Sequence, residues 1–398
     1  MPMPPSDPVH ASAIEDAVHA RYSAGALAPQ PALCCAVASY DPRLLAAIPE
    51  EVIARDYGCG DPTRHVQPGE TVVDLGSGSG KACFLLSQIV GPTGRVIGVD
   101  NNDAMLALAR RHAPEVARRI GFGNVTFVKA KIQDLALDLD AVASHLAAAP
   151  VHTVDDWQRL QTTTDHLRAT APLLATGVAD VVVSNCVLNL VRPEDKTTLF
   201  AEIFRVLRRG GRAVISDIVS DEDVPPSLQQ DGELWSGCLS GAFREDQFLN
   251  AFANAGFHGI QLLERQSEPW QTVAGIEFRS VTVAAYKGKQ GECWDCNQAV
   301  VYRGPFREVQ DDDGHTFLRG ERVAVCDKTY RLLGQAPYCG QFDLIAPRVA
   351  VPLDQAPPFP CAAGMLRRHP RASKGLAYRV TAAGPTCCPP VPDDGACC

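Results

Sequence analysis

The sequence predicts an α/β protein: a Rossmann-like, mostly parallel sheet with helices on both faces, then a small β-rich domain and a flexible tail. Three observations predict it. Residues 69–286 alternate short apolar runs with helical patterns. A Gly/Ser loop joins the first of those runs to a helix at 72–86. After residue 286 helical periodicity fades and short apolar runs with tight turns take over.

The elements follow in order. Residues 1–68 form an N-terminal segment carrying Cys34, Cys35 and Cys59. Up to residue 56 it is Ala-rich and reads as helical, with Ile14 and Val18 at i,i+4 and a break at Pro29 and Pro31. The strands are TVVDL (71–75), RVIGVD (95–100), NVTFVKA (124–130), ADVVVSN (179–185), GRAVISD (211–217), GIQLLER (259–265) and FRSVTVAAY (278–286). Helical patterns lie near 79–90, 102–119, 155–170, 194–208 and 244–255. Gly210-Gly211 after Arg208-Arg209 reads as a helix stop with cations at the dipole's C-terminal end. Residues 136–178 are too long for an ordinary connection and read as an inserted helical excursion. Residues 69–286 thus make one domain, and 287–346 a small β-rich one. Residues 347–398 hold 10 of the 30 prolines and read as a flexible tail.

Composition narrows the function. With 398 residues, 46% of them hydrophobic, the chain has ample core for two or three domains of about 150 residues. A formal net charge of −9 without a basic stripe excludes a general nucleic-acid binder. No window approaches a membrane span, and the N-terminal residues lack the pattern of a targeting segment. A cytoplasmic, reducing setting is the expectation. The 15 cysteines are too sparse for a small disulfide scaffold, so thiols, ion ligands or redox groups are expected.

VVDLGSGSGKACFLL (72–86) is the strongest local motif. Gly76, Gly78 and Gly80 allow positive φ and close approach of a ligand to the backbone. The helix start offers unpaired N–H groups. Asp100 ends the next strand, 24 residues after Gly76, where a carboxylate accepts from ribose hydroxyls. Together these point to a nucleoside ligand. The loop resembles motif I of Rossmann-like class I methyltransferases, whose sheet ends in an antiparallel strand that FRSVTVAAY fits. That implies S-adenosylmethionine, with Tyr57, Asp74, Gly76, Ser77, Gly78, Asp100, Asn101, Met105, Ile132, Gln133 and Asn185 as its contacts.

Cys59 in DYGCG, Cys186 in VVVSNCVLNL and Cys238 in LWSGCLSGAF sit on separate loops at or near the ligand-binding edge of such a sheet. Singly, a buried cysteine is more often core filler. As a set, three soft thiols with no His or carboxylate pair suit a trivalent metalloid rather than a catalytic zinc. YGCG, SNCVLNL with RPEDK, and SGCLSGA resemble the arsenic(III) S-adenosylmethionine methyltransferases over about residues 30–290. YRGPFREVQDDDGHTFLRGERVAVCDK (302–328) is similar to the C-terminal domain of microbial and algal members.

The resemblance implies that Cys59, Cys186 and Cys238 hold As(III), with arsenite and methylarsenite as substrates. It also implies a cysteine further upstream that exchanges disulfides. That match is Cys34 or Cys35, with Cys35 preferred, and thioredoxin or glutathione would reset it. Gln133 stands where the family has a glutamate beside adenine, and the 136–178 insertion is longer than in compact members. Two other readings stay open: a methyltransferase for an organic small molecule, and a metalloid-binding protein without turnover.

The remaining thiols divide. Cys293-x-x-Cys296 with Cys326 and Cys339 has part of a zinc pattern. Cys83 reads as core, and Cys361 has no context. The pairs at 387/388 and 397/398 read equally as metalloid scavengers or as exposed thiols.

Overall fold

Strand pairing sets the position of everything else. The computed structural model describes residues 8–30, 40–361 and 368–373. Its main sheet contains β1 (Thr71–Leu75), β2 (Arg95–Asp100), β3 (Val125–Lys129), β4 (Ala179–Asn185), β5 (Leu207–Ser220), β6 (Phe243–Arg244), β7 (His258–Arg265), β8 (Gln271–Val273) and β9 (Ile276–Tyr286). The order is β3-β2-β1-β4-β5-β9-β7. β3 through β5 run parallel, and β9 is antiparallel to both neighbours. FRSVTVAAY is therefore the antiparallel strand, but it lies between β5 and β7 rather than at an edge.

Side-chain alternation assigns the two faces. Val72, Val96, Val181 and Val214 join one core with helices Lys81–Val90 and Asp103–Ile120. Val73, Ile97, Val182 and Ile215 join the other with helices Lys196–Val206 and Glu245–Asn254. Both faces are covered, which is why the strands read as continuous apolar runs. The chain leaves β1 toward β2 and β3, then returns on the other side at β4. This switch opens a crevice at the carboxyl ends of β1 and β4.

Local chemistry sets the helix ends. Asn102 accepts from the N–H groups of Ala104 and Met105 and starts helix Asp103–Ile120, which Gly121 closes at φ 89°. Residues 136–178 supply two helices, Leu139–Ala148 and Val154–Thr170, neither with a buried residue. A capping box between Thr153 and Asp156 starts the second. The expected helix stop at Gly210-Gly211 is displaced. That helix ends at Val206, and Leu207–Gly211 already belong to β5, where the Lys287 carbonyl accepts the Gly210 N–H at 2.6 Å.

The chain divides into two compact units, Met1–Gly288 and Lys289–Cys398. The described residues of the N-terminal segment belong to the first. The second has β10 (Ala299–Tyr302) between β13 (Arg322–Ala324) and β14 (Phe342–Ile345), plus the hairpin β11 (Glu308–Gln310) and β12 (Thr316–Leu318). Val300, Tyr302, Phe317, Val323 and Leu333 form its core.

The tail expectation needs correction for its first part. Residues 347–361 are built into this unit. The Asp295 N–H donates to the Pro357 carbonyl at 2.8 Å, and the Phe359 N–H to the Cys293 carbonyl at 2.7 Å. Proline removes donors but keeps acceptors, so a proline-rich stretch still pairs. The thiol pairs at 387/388 and 397/398, like Cys34 and Cys35, lie outside the described residues. No helix among the described residues is long and apolar enough to cross a membrane.

Phe252 is fully buried, with ring centroids of Phe200, Phe248 and Phe257 at 4.8, 5.4 and 5.6 Å. Phe252→Ala is expected to cost about 3–5 kcal/mol. Urea denaturation should show a lower midpoint at an unchanged slope.

Candidate active site

A cavity of about 340 Å³ occupies the crevice. Every residue named above as a nucleoside-ligand contact lines it: Tyr57, Asp74, Gly76, Ser77, Gly78, Asp100, Asn101, Met105, Ile132, Gln133 and Asn185. The Gly loop is pinned from below, since the Gly76 and Ser77 N–H groups donate to the Val99 carbonyl at 2.8 and 2.9 Å. Gly76 sits at φ 71°, and a Cβ there would meet Val187 at 2.5 Å. At Gly78 (φ 50°) a Cβ would project into open space. The carboxylate of Asp100 accepts from the Gly78 N–H and the Asn102 N–H, both at 2.8 Å. It therefore braces the loop against β2. Burial nonetheless raises the Asp100 pKa.

Two further groups mark the loop as a ligand cradle. The Ser77 hydroxyl is buried and has no hydrogen-bond partner among the described residues. Such an orphan costs about 1–3 kcal/mol unless a ligand satisfies it. Asp74 is buried at the end of β1, and burial pushes its carboxyl up to about 7. The Cys83 thiol donates to it at 3.1 Å, so Cys83 is core and also a partner to the site.

The thiols converge through Asn185. Its side-chain oxygen accepts the Cys59 N–H at 2.7 Å and the Gly60 N–H at 3.0 Å. Its side-chain N–H₂ donates to the Gly60 carbonyl at 2.8 Å. The Ser280 hydroxyl on β9 holds the Cys59 carbonyl at 2.6 Å. Cys186 follows Asn185 directly, so the clamp that fixes Cys59 also brings the two sulfurs together. Ligand atoms of Cys59, Cys186 and Asp217 all lie within 4.8 Å of one another.

Cys238 lies beside them. Its thiol donates to the Cys186 carbonyl at 3.2 Å, and the Tyr22 hydroxyl is 3.9 Å from its sulfur. All three cysteines pack in one apolar cluster with Ile218, Val224 and Phe278. Cys186 and Cys238 both hold left-handed backbone, φ 64° and 63°. That conformation costs a non-glycine residue on the order of 1 kcal/mol or more, and it collects at functional sites.

The sequence reading made the N-terminal stretch helical, as Pro8–Leu27 is, but missed its place in the cavity wall, and it missed Asp217 and Tyr22. Asp217 accepts N–H groups from Leu188 and Ile218, both at 2.8 Å, and burial pushes its carboxyl up to about 7. Its signal was available: it is an acid closing an apolar strand, as Asp74 and Asp100 are. The helix contributes Glu15, Asp16, Val18, His19 and Tyr22 to the cavity wall, and no local motif announces that. Tyr22 meets Tyr57 edge to face at 6.1 Å.

Residues 67–256 match the family model described as a methyltransferase domain. Residues 289–378 match a domain of unknown function, DUF8838. The arsenite methyltransferase of Aquipseudomonas alcaligenes is 33% identical over 314 residues, 76% of this chain and 80% of that protein. The human arsenite methyltransferase is 29% identical over 311 residues, 75% of this chain and 72% of that one. An arsenic(III) S-adenosylmethionine methyltransferase from Chlamydomonas reinhardtii has a crystal structure that superposes with TM-score 0.52 at 27% identity. It covers 82% of this chain and 99% of that one.

A Cβ on Gly58 would collide with the Asn185 side-chain amide. Gly58→Ala is therefore expected to loosen the clamp and separate Cys59 from Cys186. Diamide oxidation with peptide mapping should give a Cys59–Cys186 disulfide in the native chain and several-fold less of it in the variant.

Proposed function

The chain belongs to the arsenite methyltransferase family, and from that premise we propose that Cys59, Cys186 and Cys238 hold trivalent arsenic for methylation. One observation carries the reading. Cys186 lines the cavity of the Gly loop and also belongs to the thiol group, so one residue joins the two halves of the site.

The cavity suits S-adenosylmethionine, which when bound supplies an electrophilic methyl group on a positively charged sulfur. Asp100 and Asn101 lie where a ribose would sit, and the orphaned Ser77 hydroxyl and Gly78 border open space. Tyr57 lines the cavity two residues before Cys59. Its hydroxyl is fixed by the Gly25 carbonyl at 3.1 Å.

Arsenic bonded to sulfur keeps a lone pair, and that pair is the nucleophile. No O–H has to be deprotonated, so no general base is needed. The chain contributes position: rigid thiols in an apolar cluster hold the arsenic within reach of the cavity. Arsenite takes three sulfurs, and methylarsenite takes two, Cys186 and Cys238.

Methyl transfer leaves arsenic pentavalent. A cysteine pair returns two electrons by forming a disulfide, with Cys35 and Cys59 as the pair, and thioredoxin or glutathione resets it. The activity belongs to arsenic detoxification in a reducing cytoplasm.

The direct test incubates the chain with S-adenosylmethionine, arsenite and a thiol reductant and then speciates the arsenic. Cys186→Ser and Cys238→Ser should each lower methylation of methylarsenite by roughly 100-fold or more, the scale of a lost positioning contact. Cys59→Ser should harm arsenite turnover more than methylarsenite turnover. Full activity in Cys186→Ser or Cys238→Ser would overturn the assignment.

A further inference from the structure

The second unit carries a thiol cluster that methyl transfer does not use. Sulfur atoms of Cys293, Cys326 and Cys361 all lie within 4.8 Å of one another. They come from three separate places. Cys293 precedes β10, Cys326 caps helix Asp327–Leu333, and Cys361 follows Pro357, Pro358 and Pro360.

Each place is fixed. The Cys293 carbonyl accepts the Phe359 N–H at 2.7 Å, and the Phe359 carbonyl accepts the Cys361 N–H at 2.9 Å. The Cys326 sulfur accepts the Thr329 N–H at 3.4 Å and contacts the Thr329 hydroxyl at 3.2 Å. Cys326 is buried, while Cys293 and Cys361 are half-buried, so an ion has access from one side.

Among the described residues the group has three ligands. A structural zinc takes four ligands in a tetrahedron. The other sulfurs of the sequence pattern do not complete one: Cys296 is buried outside the group, and Cys339 is exposed. His315 is held by Asp311 at 2.8 Å and is likewise outside the group. Three soft donors on one side match the pyramidal coordination of a trivalent metalloid.

We propose that Cys293, Cys326 and Cys361 form a second arsenic(III) site, in the unit that matches a domain of unknown function. The proposal concerns thiols outside the methyl-transfer site and does not rest on the catalytic reading. Arsenite, As(OH)₃, binds by exchange. Three As–O bonds break and three As–S bonds form. Each thiol proton leaves with a hydroxyl as water. Arsenic stays trivalent, so no reductant is consumed.

The test uses the full-length reduced chain carrying Cys186→Ser and Cys238→Ser, without methyl donor. Arsenic per chain is measured after desalting from arsenite. Adding Cys293→Ser, Cys326→Ser and Cys361→Ser should remove one equivalent. Other thiols bind equally in both chains and cancel. Retention of the full amount would overturn the proposal.

Cys361→Ser alone separates ligand loss from misfolding. Arsenite, which needs three sulfurs, should be held at least an order of magnitude more weakly. Phenylarsine oxide, which needs two, should still occupy Cys293 and Cys326. Loss of both arsenicals, or of neither, counts against the site. So does zinc that copurifies on these three cysteines and resists displacement by arsenite.

Discussion

The thiol site depends on one side chain. Asn185 ends β4 and uses its amide on the backbone of Cys59 and Gly60 and on the Tyr40 hydroxyl. With the Tyr40 hydroxyl, which donates to the Gly60 carbonyl at 3.0 Å, it docks the turn after the short helix Glu50–Ile53 onto the carboxyl edge of the sheet. The approach is close enough to exclude side chains. A Cβ at Gly58 would strike Asn185, and one at Gly60 would meet the Ser216 hydroxyl at 2.5 Å. DYGCG therefore needs both glycines for contact distance and not for positive φ. Ser280 on β9 grips the same turn from the far side, so the antiparallel strand is part of the site's frame.

The clamp also explains how strained residues persist. Cys186 and Cys238 hold left-handed backbone. Asn189 offsets part of that cost, since its side-chain N–H₂ donates to the carbonyls of Ile218 and Cys238. The Cys186 N–H is taken by the Ser216 carbonyl at 2.8 Å. Neighbouring hydrogen bonds thus over-determine both residues, and the thiols keep fixed directions inside an apolar cluster. A flexible pair of cysteines would lose side-chain entropy on gripping an ion. This set has already lost it on folding.

The fold was legible because its cause is local. Strands covered on both faces must be apolar along their length, as the central ones are, and all seven read from the sequence form, including the largely unburied β3 and β7 at the two ends of the order. The Gly loop with Asp100 was legible because close backbone approach demands glycine at set intervals. What escaped depends on distant partners. Arg208 and Arg209 resemble a helix end, yet they lie in β5 between Leu207, which pairs with Ala179 of β4, and Gly210, whose N–H donates to the Lys287 carbonyl. The cavity wall formed by Val18, His19 and Tyr22 needs a helix docked across residues far away in sequence. Asp217 was visible as an acid at a strand end, but its closeness to two thiols follows only from strand order.

The second unit makes the same point more sharply. Sequence spacing pairs Cys293 with Cys296, because two intervening residues suit one ion. Backbone pairing decides otherwise. Asp295 and Cys293 bond to Pro357 and Phe359, and this register carries Cys361 to Cys293 across more than sixty residues. The two thiol groups then differ in kind. The first has two sulfurs and a buried carboxyl within 4.8 Å, with Cys238 beside them. Among the described residues the second has three sulfurs and no acid. Soft thiolate donors hold a thiophilic ion, while a hard oxygen does not compete for it. Three sulfurs on three anchored segments, none of them lining the methyl-transfer cavity, suit capture of a thiophilic ion rather than turnover.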